Sequence, residues 1–338
     1  MITIGTRGSE LALWQANYTK KILEDKGHEV QLKIIETKGD TSQQWNTSFE
    51  KLEGKGFFTK ELEEALLSGS IDVAVHSHKD LPTENPDGLI IAGVSSRENP
   101  ADWLIIREDC VDDKKKFNLK DNAKVGTSSA RRKSQLLGFR PDVELADLRG
   151  NVPTRINKLK NGEYDAILLA AAGLERLELD LSDFHVEQLE PSEFIPAPAQ
   201  GVLAWQIRED DYKLTDIFDA ICDYDVLINI NIERRVLNLL DGGCLLPLGV
   251  FCDVEMNEHD RKVFKIWTSI ADSWDAQPKH LYYETTNTED LPEKIVEHIK
   301  RISGKSIFIS REVHESNTLN RWLTKLGFTV ENKSLIDL

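Results

Sequence analysis

The chain has 338 residues, which is enough for two or three domains, and its 40% hydrophobic and 30% charged residues are typical of a soluble globular protein. A formal net charge of −16 argues against nucleic acid as a partner, because phosphate binding needs a basic surface. No apolar run approaches the roughly 20 residues that cross a bilayer, and no signal-peptide pattern is expected at the start. We therefore expect a cytoplasmic protein that does not enter a membrane. Its four cysteines are expected as free thiols: Cys110, Cys222, Cys244 and Cys252.

Strand and helix patterns alternate over the first 95 residues. The turn at residues 6–9 follows a short strand and leads into a helix that Gly27 ends, and Thr59 is the expected cap of a second helix. Strands that alternate with helices predict a mostly parallel, doubly wound sheet. The expected elements are strands at 3–5, 30–37 and 71–75 and helices at 11–23 and 59–67. The expected apolar stripe of the first helix is Leu11, Trp14, Tyr18 and Ile22, with Leu23 as a further candidate.

A long polar segment separates the second strand from the second helix. It has no helical or strand periodicity and is bounded by Gly39 and Gly56. Loops of this length inside a compact domain are uncommon, and they are usually functional or disordered. The segment is therefore interpreted as a mobile loop, residues 40–57, that acts as a lid.

The third strand runs into Ala-Val-His-Ser-His-Lys-Asp-Leu-Pro, residues 74–82. Pro82 cannot continue regular ladder pairing, so Lys79 and Asp80 are expected on the turn beyond the carboxyl end of the strand. Ligands of open α/β sheets bind at that end. A carboxylate there can meet a reacting group, while Lys79 and backbone amides help to set its charge state. From these residues alone, the alternative is that Asp80 only caps a turn.

The same alternation begins again near residue 98. A cap at Ser128 or Ser129 predicts one helix, and Pro153 in a first turn predicts another, which Gly162 ends. The apolar run at 164–170 predicts a buried strand of the parallel kind. Two such units in tandem form a cleft between them, as in hinged binding proteins. The expected elements are strands at 103–107, 124–126, 143–148 and 164–170 and helices at 129–137, 153–161 and 173–179.

The second unit is locally basic. Residues 126–160 contain eight Lys or Arg against three acids, an excess of five positive charges in an acidic chain. Arg131 and Arg132 lie in the first turns of a helix, where cations oppose the macrodipole, and Arg149 and Arg155 flank another helix start. Helix N-terminal amides and Arg side chains both favour carboxylates or phosphates, so we expect a polyanionic ligand. A solvated charged face is the alternative.

Two further features have more than one interpretation. His76, His78 and Asp80 form an H-x-H-x-D pattern, which can be half of a metal site, but the other histidines supply no companion motif and we expect no metal. Cys244 follows two glycines at a helix end, where a thiol can stand clear of its neighbours. It could be a nucleophile, an attachment point or an inert thiol, and no His is adjacent in the sequence.

The last third of the chain predicts a smaller α/β domain and an extension. A proline-rich segment at 190–201 reads as a stiff connector between domains. The expected elements of the smaller domain are helices at 230–240 and 291–302 and strands at 262–271 and 281–286. Residues 305–338 then add a strand at 307–309, a helix at 319–326 and a last strand near Phe328.

Several motifs stand in one order along the chain, and each of them alone is weak. They are Gly5-Thr6-Arg7-Gly8-Ser9-x-Leu11-Ala12-Leu13-x-Gln15, Gly54-Lys55-Gly56-x-Phe58, Val75-His76-Ser77-x-Lys79-Asp80-x-Pro82, Gly126-Thr127-Ser128-Ser129-x-Arg131-Arg132, Leu148-Arg149-Gly150-Asn151, Pro196-Ala197-x-Ala199-Gln200-Gly201 and Gly242-Gly243-Cys244. In this order, over about residues 1–300, the chain resembles the porphobilinogen deaminase (hydroxymethylbilane synthase) family.

The resemblance implies a transferase of tetrapyrrole and haem biosynthesis. The expected reaction condenses four porphobilinogen molecules head to tail into hydroxymethylbilane, with release of ammonia. The resemblance also implies two domains similar to periplasmic binding proteins and a smaller third α/β domain, in a chain expected to be a monomer. The implied ranges are 1–95 and 198–214 for domain 1, 98–193 for domain 2, 218–304 for domain 3 and 305–338 for the extension.

The resemblance further implies a covalent dipyrromethane cofactor, one per chain, attached to Cys244 by a thioether. Asp80 matches the catalytic acid of the family. A fixed carboxylate beside a pyrrole N–H stabilises developing positive charge and can exchange a proton with the reacting groups. The residues matching cofactor ligands are Cys244, Lys79, Thr127, Ser128, Ser129, Arg131, Arg132, Arg149, Arg155 and Gln200. The residues matching substrate ligands are Arg7, Ser9, Lys51, Lys55, Phe58, Ser77 and Arg176.

The sequence departs from the family pattern at two positions and at its end. His78 replaces the usual Met or Leu, which suggests that a histidine tunes Asp80, and Ala199 replaces a usual Gly before Gln200. The extension from Lys305 resembles the start of uroporphyrinogen-III synthase, the next enzyme of the pathway, and an ordinary α/β extension is the alternative. One β-α-β fragment cannot supply a second active site, so we expect no synthase activity. A hand-off of product to that synthase is a hypothesis.

Two rival functions fit parts of the sequence. A non-catalytic solute-binding protein has the same two-lobed shape, but it would need a secretion signal and has no use for Cys244 on a third domain. A metal hydrolase could use His76 and His78, and chelators would inactivate it. The mass of the intact protein distinguishes these functions, because only a deaminase should carry an added dipyrromethane.

Overall fold

The computed structural model of the protein describes residues 1–37, 59–241, 246–301, 306–310 and 329–333. In these residues the strands are β1 (Ile2–Thr6), β2 (Val30–Ile34), β3 (Val73–Ser77), β4 (Leu89–Val94), β5 (Asp102–Arg107), β6 (Lys124–Gly126), β7 (Glu144–Ala146), β8 (Ala166–Ala170), β9 (Phe184–Leu189), β10 (Leu203–Arg208), β11 (Leu248–Met256), β12 (Lys262–Ile270), β13 (Lys279–Thr285), β14 (Ser306–Ser310) and β15 (Thr329–Lys333). The α-helices are α1 (Glu10–Asp25), α2 (Lys60–Leu67), α3 (Ala130–Phe139), α4 (Val152–Lys160), α5 (Ala171–Arg176), α6 (Tyr212–Asp219), α7 (Tyr224–Leu239) and α8 (Leu291–Arg301).

The first sheet has the strand order β2-β1-β3-β10-β4. β1 pairs in parallel with β2 and β3, whereas β10 pairs antiparallel with both β3 and β4. Four strands therefore run in one direction, and β10 runs against them. One face buries Trp205 of β10 with Leu23 of α1 and Phe218 of α6, and the other face packs on Leu62 and Leu66 of α2. Helices on both faces make this a doubly wound sheet.

The second sheet repeats this arrangement with the order β7-β6-β8-β5-β9. β6 pairs in parallel with β7 and β8, and β5 pairs antiparallel with β8 and β9. Its two faces bury Leu104 with Leu136 of α3, and Ile105 with Leu159 of α4. Because β5 follows β4 in the chain and β10 follows β9, the chain passes between the two sheets twice.

The third sheet begins as an antiparallel meander, β11-β12-β13, and continues with β14 and β15 in parallel. Val236 of α7 and Ile295 of α8 are buried with Ile266 of β12. The strands expected at 307–309 and near Phe328 are therefore present as β14 and β15. The helix expected at 319–326 lies outside the described residues. Among the helices of the described residues, none combines the length and the apolar character needed to cross a bilayer.

The α/β class and the doubly wound sheets are confirmed, with differences in detail. β8, from the apolar run at 164–170, pairs in parallel with β6 only, and its other neighbour β5 is antiparallel. The helices predicted from residues 173 and 230 begin earlier, at Ala171 and Tyr224. The sequence patterns did not predict five strands and α-helices of the described chain: β4, β9, β10, β11 and α6.

The helix caps predicted from the sequence are confirmed in part. Ser129 caps α3 by accepting from the backbone N–H three residues later, at 3.4 Å, while the Ser128 hydroxyl donates instead to the Leu148 carbonyl at 2.9 Å. The predicted cap at Thr59 is wrong, because its side chain makes no capping hydrogen bond. Its φ of −112° and ψ of −24° are helical, whereas a capping side chain needs an extended residue.

The buried face of α1 is rotated from the predicted apolar stripe. Leu11, Trp14, Tyr18 and Ile22 are only half-buried, whereas the further candidate Leu23 is fully buried. Trp14 stacks on Tyr18 with 5.4 Å between ring centroids. A polar residue enters the core instead, because the Thr19 hydroxyl accepts a hydrogen bond from Nε1 of buried Trp205 at 2.9 Å. The buried residues of α1 are Gln15, Ala16, Thr19 and Leu23.

Candidate active site

Apart from Gln200, which precedes β10, the predicted site residues of the described chain follow the carboxyl ends of parallel strands in both large sheets. This is the end of an open α/β sheet at which ligands bind. In the first sheet, Arg7 and Ser9 follow β1, and Ser77, Lys79 and Asp80 lie at the end of β3 or just beyond it. In the second sheet, Thr127, Ser128, Ser129, Arg131 and Arg132 follow β6, Arg149 and Arg155 follow β7, and Arg176 follows β8.

Asp80 is the last residue of a short 3-10 turn, His78–Asp80, and its side chain is exposed. The turn begins against β10, because the His78 N–H donates to the carbonyl of Val202 at 2.9 Å. The negative charge of Asp80 raises the pKa of Lys79 and of Arg155, against the effect of burial on both. The accessible carboxylate is thus within electrostatic range of a cation from each of the two large sheets.

Lys79 is half-buried beside this carboxylate, and its Nζ donates to Oε1 of Gln200 at 3.2 Å. Burial lowers the pKa of Lys79 to about 8, Arg132 and Arg131 act in the same direction, and Asp80 and Asp102 oppose them. At neutral pH the ammonium group therefore carries its charge, and it loses that charge under mildly alkaline conditions.

A buried carboxylate that the sequence analysis missed holds the arginine pair. Asp102, at the start of β5, is fully buried and accepts from Nη1 of Arg131 at 2.6 Å and from Nη2 and Nε of Arg132 at 2.7 and 3.1 Å. Burial alone would raise the pKa of Asp102, but the two guanidinium groups outweigh it and hold that pKa below its usual range. Both arginines are buried, so they do not form a solvated charged face. An acid at the start of the apolar run Trp103–Ile106 was the signal that could have revealed Asp102.

Gln200 connects the two halves of the site. It is fully buried, and its Nε2 donates to Oδ1 of Asp102 at 2.9 Å and to the Pro100 carbonyl at 2.7 Å. Its Oε1 accepts from Lys79, so one amide links the carboxylate beneath the arginine pair to the lysine beside Asp80. The preceding residue, Ala199, has a φ of +60°, which is the left-handed conformation that Gly adopts without strain.

The family model described as "Porphobilinogen deaminase, dipyromethane cofactor binding domain" matches residues 2–216. The porphobilinogen deaminase of a Nitratiruptor species is 42% identical over 296 residues, which cover 88% of this chain and 92% of that protein. The chain belongs to the porphobilinogen deaminase family. The porphobilinogen deaminase of Nitratidesulfovibrio vulgaris (strain DP4) is 47% identical over 251 residues, 73% of this chain and 77% of that protein.

Solved structures that superpose on the chain are more distant. The periplasmic VFT2 domain of Bordetella pertussis BvgS has a TM-score of 0.40 and 13% identity. The match covers 68% of this chain and 91% of the BvgS domain. The arginine-specific periplasmic binding protein STM4351 of Salmonella typhimurium has a TM-score of 0.39 and 11% identity, with 67% and 93% covered. Superpositions this loose carry no argument about the site.

Membership of the family establishes the reaction. The deaminase is a transferase that condenses four porphobilinogen molecules head to tail into hydroxymethylbilane, and it uses a dipyrromethane cofactor. Its place is in porphyrin and haem biosynthesis. The sequence prediction of the family, the reaction and the cofactor is therefore confirmed.

The charges of the deaminase cleft fit a cofactor that carries carboxylates. Burial lowers the pKa of Arg155 to about 10, and the nearby charges of Arg132 and Arg149 act in the same direction while Asp80 opposes them. The Nε of Arg155 donates to the carbonyl of Gly150 at 2.7 Å, and this hydrogen bond fixes the Nε end of the guanidinium group. Acetate and propionate groups on pyrroles would balance these cations, because carboxylates are preferred partners of guanidinium groups.

Arg176 differs from the other predicted substrate ligands of the described chain, Arg7, Ser9 and Ser77, because its side chain is buried. Its Nη2 donates to the Gly201 carbonyl at 2.8 Å, and its guanidinium carbon lies 5.5 Å from the ring centroid of Trp14. Burial lowers its pKa, and within the described residues its Nε makes no hydrogen bond. These contacts join α5 to α1 and to the turn after Gln200, so Arg176 lies where the two large sheets meet.

The remaining described site residues lie at or just after the ends of β1, β3 and β6. Arg7 is half-buried, and its charge lowers the pKa of His76, which indicates that the two side chains are close. Ser77 accepts a hydrogen bond from Nε2 of Gln15 at 2.8 Å. Two further hydroxyls have local backbone partners: Ser9 accepts from the N–H of Ala12, and Thr127 accepts from the N–H of Ser129.

The two histidines beside Asp80 are buried. His76 Nε2 lies 3.1 Å from Oε1 of Gln206. Burial lowers the pKa of His78 well below its ordinary value, and Arg234 and His76 act in the same direction. Burial thus favours the neutral form of His78, and the hypothesis that this histidine tunes Asp80 stays a prediction. No group of three metal-ligating side chains occurs within the described residues.

Several predicted residues lie outside the described residues. They are Cys244, predicted to carry the cofactor, the predicted substrate ligands Lys51, Lys55 and Phe58, and the predicted lid at 40–57.

Proposed function

We propose that Asp80 is the catalytic acid of the deaminase reaction. The observation that carries this proposal is its exposed carboxylate on the turn after β3, within electrostatic range of Lys79 and Arg155. An accessible carboxylate can exchange protons with substrate, whereas the carboxylate of Asp102 is fully buried and paired with two arginines. The same position supports an electrostatic role, because Asp80 can face the pyrrole while cations hold the pyrrole side chains.

The chemistry needs one group that both stabilises positive charge and moves a proton. Loss of ammonia from porphobilinogen leaves an electron-poor azafulvene, whose positive charge is stabilised by a carboxylate near the pyrrole N–H. The Asp80 carboxyl gives a proton to the departing amine, and it accepts one after the new carbon–carbon bond has formed. When bound, dipyrromethane supplies the terminal pyrrole carbon to which the first substrate is joined.

The cations around Asp80 are proposed to bind the acetate and propionate groups. Lys79, Arg149 and Arg155 are half-buried at the carboxyl ends of the strands, where a carboxylate can reach them. Arg131 and Arg132 donate hydrogen bonds to Asp102, which fixes their side chains. We propose that they provide fixed positive charge behind the bound pyrrole chain. The further proposed ligands are the cofactor ligands Gln200, Thr127, Ser128 and Ser129 and the substrate ligands Arg7, Ser9, Ser77, Arg176, Lys51, Lys55 and Phe58.

The attachment of dipyrromethane to Cys244 and the domain ranges 1–95 with 198–214, 98–193 and 218–304 are parts of the same proposal. The return of β10 to the first sheet supports the divided first domain. We further propose a cytoplasmic monomer that hands hydroxymethylbilane to uroporphyrinogen-III synthase. Residues 305–338 are proposed as an extension without synthase activity, because two added strands do not make a second cleft.

The mass of the intact purified protein tests the attachment. The wild-type deaminase is expected to exceed its polypeptide mass by one dipyrromethane, and Cys244→Ser is expected to have the bare mass and no activity. Cys222→Ser is the matched control, because Cys222 is a partly exposed thiol outside the predicted site, and its replacement should leave both mass and activity unchanged. A wild-type protein of bare polypeptide mass, or an active Cys244→Ser enzyme, would contradict the proposal.

A further inference from the structure

One guanidinium group of the third sheet's helices holds the turn that carries Asp80. Arg234, on α7, donates through Nη1 to the carbonyl of His78 at 3.0 Å and to that of Leu81 at 3.3 Å. Through Nη2 it donates to the carbonyl of Pro82. These three carbonyls lie on both sides of Asp80 in the chain, so one side chain spans the whole turn.

The turn needs such a partner because strand pairing stops before it. β3 ends at Ser77, and Pro82 has no N–H with which to continue a ladder. Within the turn, the Leu81 N–H donates to the His78 carbonyl at 3.2 Å. A guanidinium group presents several N–H donors in a rigid plane, so it can hold several carbonyls in one fixed arrangement.

A second residue of α7 extends the contact. Asn238 lies four residues after Arg234, which is one turn along the same face of the helix. Its Nδ2 donates to the hydroxyl of Thr83 at 3.3 Å. The face of α7 that includes Arg234 and Asn238 therefore follows the chain from His78 to Thr83.

The helix itself is firmly held on another side. Glu233, next to Arg234, is fully buried and receives a hydrogen bond from Nη1 of Arg97 at 2.7 Å. Its carboxylate also accepts from the backbone N–H of Ala199 at 2.6 Å and of Cys252 at 2.8 Å. α7 is thus bound to the turn before Gln200 and to β11, which makes it a rigid support for the Asp80 turn.

We propose that Arg234 is a positioning residue of the deaminase reaction. It fixes the backbone on both sides of Asp80 to α7, the helix whose end at Leu239 precedes Cys244 in the sequence. The inference rests on the proposed roles of Asp80 and Cys244. Without Arg234 the carboxylate shifts relative to the reacting pyrroles, and displacements of about 1 Å can reduce rates about a hundredfold.

The test compares Arg234→Met with Arg234→Lys and with the neighbouring control Arg235→Met. Arg235 is exposed, pairs with Glu293 at 3.0 Å and donates to Oδ1 of Asn238 at 3.1 Å. Within the described residues, its side chain donates to none of the carbonyls of the Asp80 turn. We expect Arg234→Met to lower kcat about 10- to 100-fold with KM within about threefold of the wild type. Arg234→Lys should recover part of kcat, and Arg235→Met should match the wild type. All variants should carry the dipyrromethane mass, and activity should be measured where circular dichroism shows each variant fully folded.

A kcat of folded Arg234→Met within twofold of the wild type, or a loss confined to KM, would overturn the inference. If Arg234→Met does not fold, Arg234→Lys decides by the same comparison of kcat with KM. Added guanidinium ion should partly restore kcat in Arg234→Met and leave Arg235→Met unchanged, an effect that a general loss of stability would not produce.

The Asp80→Asn variant distinguishes this inference from the proposed function. In Asp80→Asn, adding Arg234→Met should cause little further loss of kcat, because both changes act through one carboxylate. If Asp80→Asn turns over normally, the proposed role of Asp80 fails. If Asp80→Asn is impaired and Arg234→Met is not, only the role of Arg234 fails.

Discussion

The first and second sheets have equivalent strand orders and present different chemistry at their carboxyl ends. In each sheet, three parallel strands are followed by an antiparallel strand that enters from the other sheet. The first sheet ends in the exposed carboxylate of Asp80 and the half-buried ammonium of Lys79. The second sheet ends in two buried arginines whose charge is partly balanced by Asp102. The two sheets thus share one topology, and their side chains differ. We propose a division of roles between an acid in the first sheet and fixed cations in the second.

The two carboxylates, Asp80 and Asp102, show why this division needs different surroundings. A group that exchanges protons with substrate must be accessible, and Asp80 is exposed. A group that only orients cations can be buried, provided that each of its charges has a partner, as Asp102 has in Arg131 and Arg132. Gln200 connects the two environments by a hydrogen bond to each side.

Replacing the acid of the first sheet should have the largest effect on catalysis. Asp80→Asn keeps the shape of the side chain but removes its charge and its ability to transfer a proton. We expect kcat to fall about 10²- to 10⁴-fold, with the dipyrromethane mass retained. Steady-state kinetics and intact mass measure both effects. Asp87→Asn, an exposed carboxylate in the segment after the turn, is the control and should remain active; equal activity of the two variants would remove the distinction between the sheets.

Replacing the acid of the second sheet should act first on stability. Asp102→Asn leaves two buried guanidinium groups without their carboxylate, which typically costs about 3–5 kcal/mol in free energy of unfolding. Chemical denaturation measures this loss. Asp147→Asn breaks an exposed pair with Lys133, and it should cost less than about 1 kcal/mol. If the two variants were equally stable, Asp102 would not be the support of the arginine pair.

The pH dependence of substrate binding should reveal the loss of the positive charge of Lys79. Its pKa lies near 8 instead of 10.5, so its positive charge is complete well below pH 8 and is lost as the pH rises through that value. We therefore expect KM for porphobilinogen to rise above about pH 8. In Lys79→Arg the charge persists to higher pH, so the rise should shift by more than one pH unit or disappear. A KM that rises identically in both enzymes would assign the effect to another group.

The smallest expected effect concerns the connection between the sheets. Ala199 has a φ of +60°, in which an L-residue is strained and Gly is not. Ala199→Gly should therefore raise the free energy of unfolding by about 0.5–1 kcal/mol, after the greater entropy of the unfolded chain is subtracted. Ala220→Gly, at an exposed residue with a φ of −67°, should lower stability instead. A loss of stability in both variants would show that Ala199 is not strained.

Local sequence patterns were sufficient for much of the fold and for the list of candidate residues. The glycine after α1 and the serine cap of α3 act over three or four residues, and short-range rules predict them well. The position of Asp80 on a turn beyond β3 could be predicted, because a strand, a turn and Pro82 follow one another within ten residues. Patterns at sheet edges were weaker: β4 and β9 lie at the edges, and each mixes buried with half-buried residues.

Only the tertiary structure decided which charges meet. Asp102 contacts Arg131 and Arg132 across about 30 residues of chain and Gln200 across 98, and Arg234 reaches the Asp80 turn across more than 150. No local periodicity encodes such distances, because they depend on how β5 and β10 cross between the sheets. The sequence by itself determined the family, the α/β alternation and the residue types available for catalysis. The packing of the sheets determined which arginines are buried, which carboxylate remains exposed and which helix supports it, because burial and charge pairing exist only once distant segments are in contact.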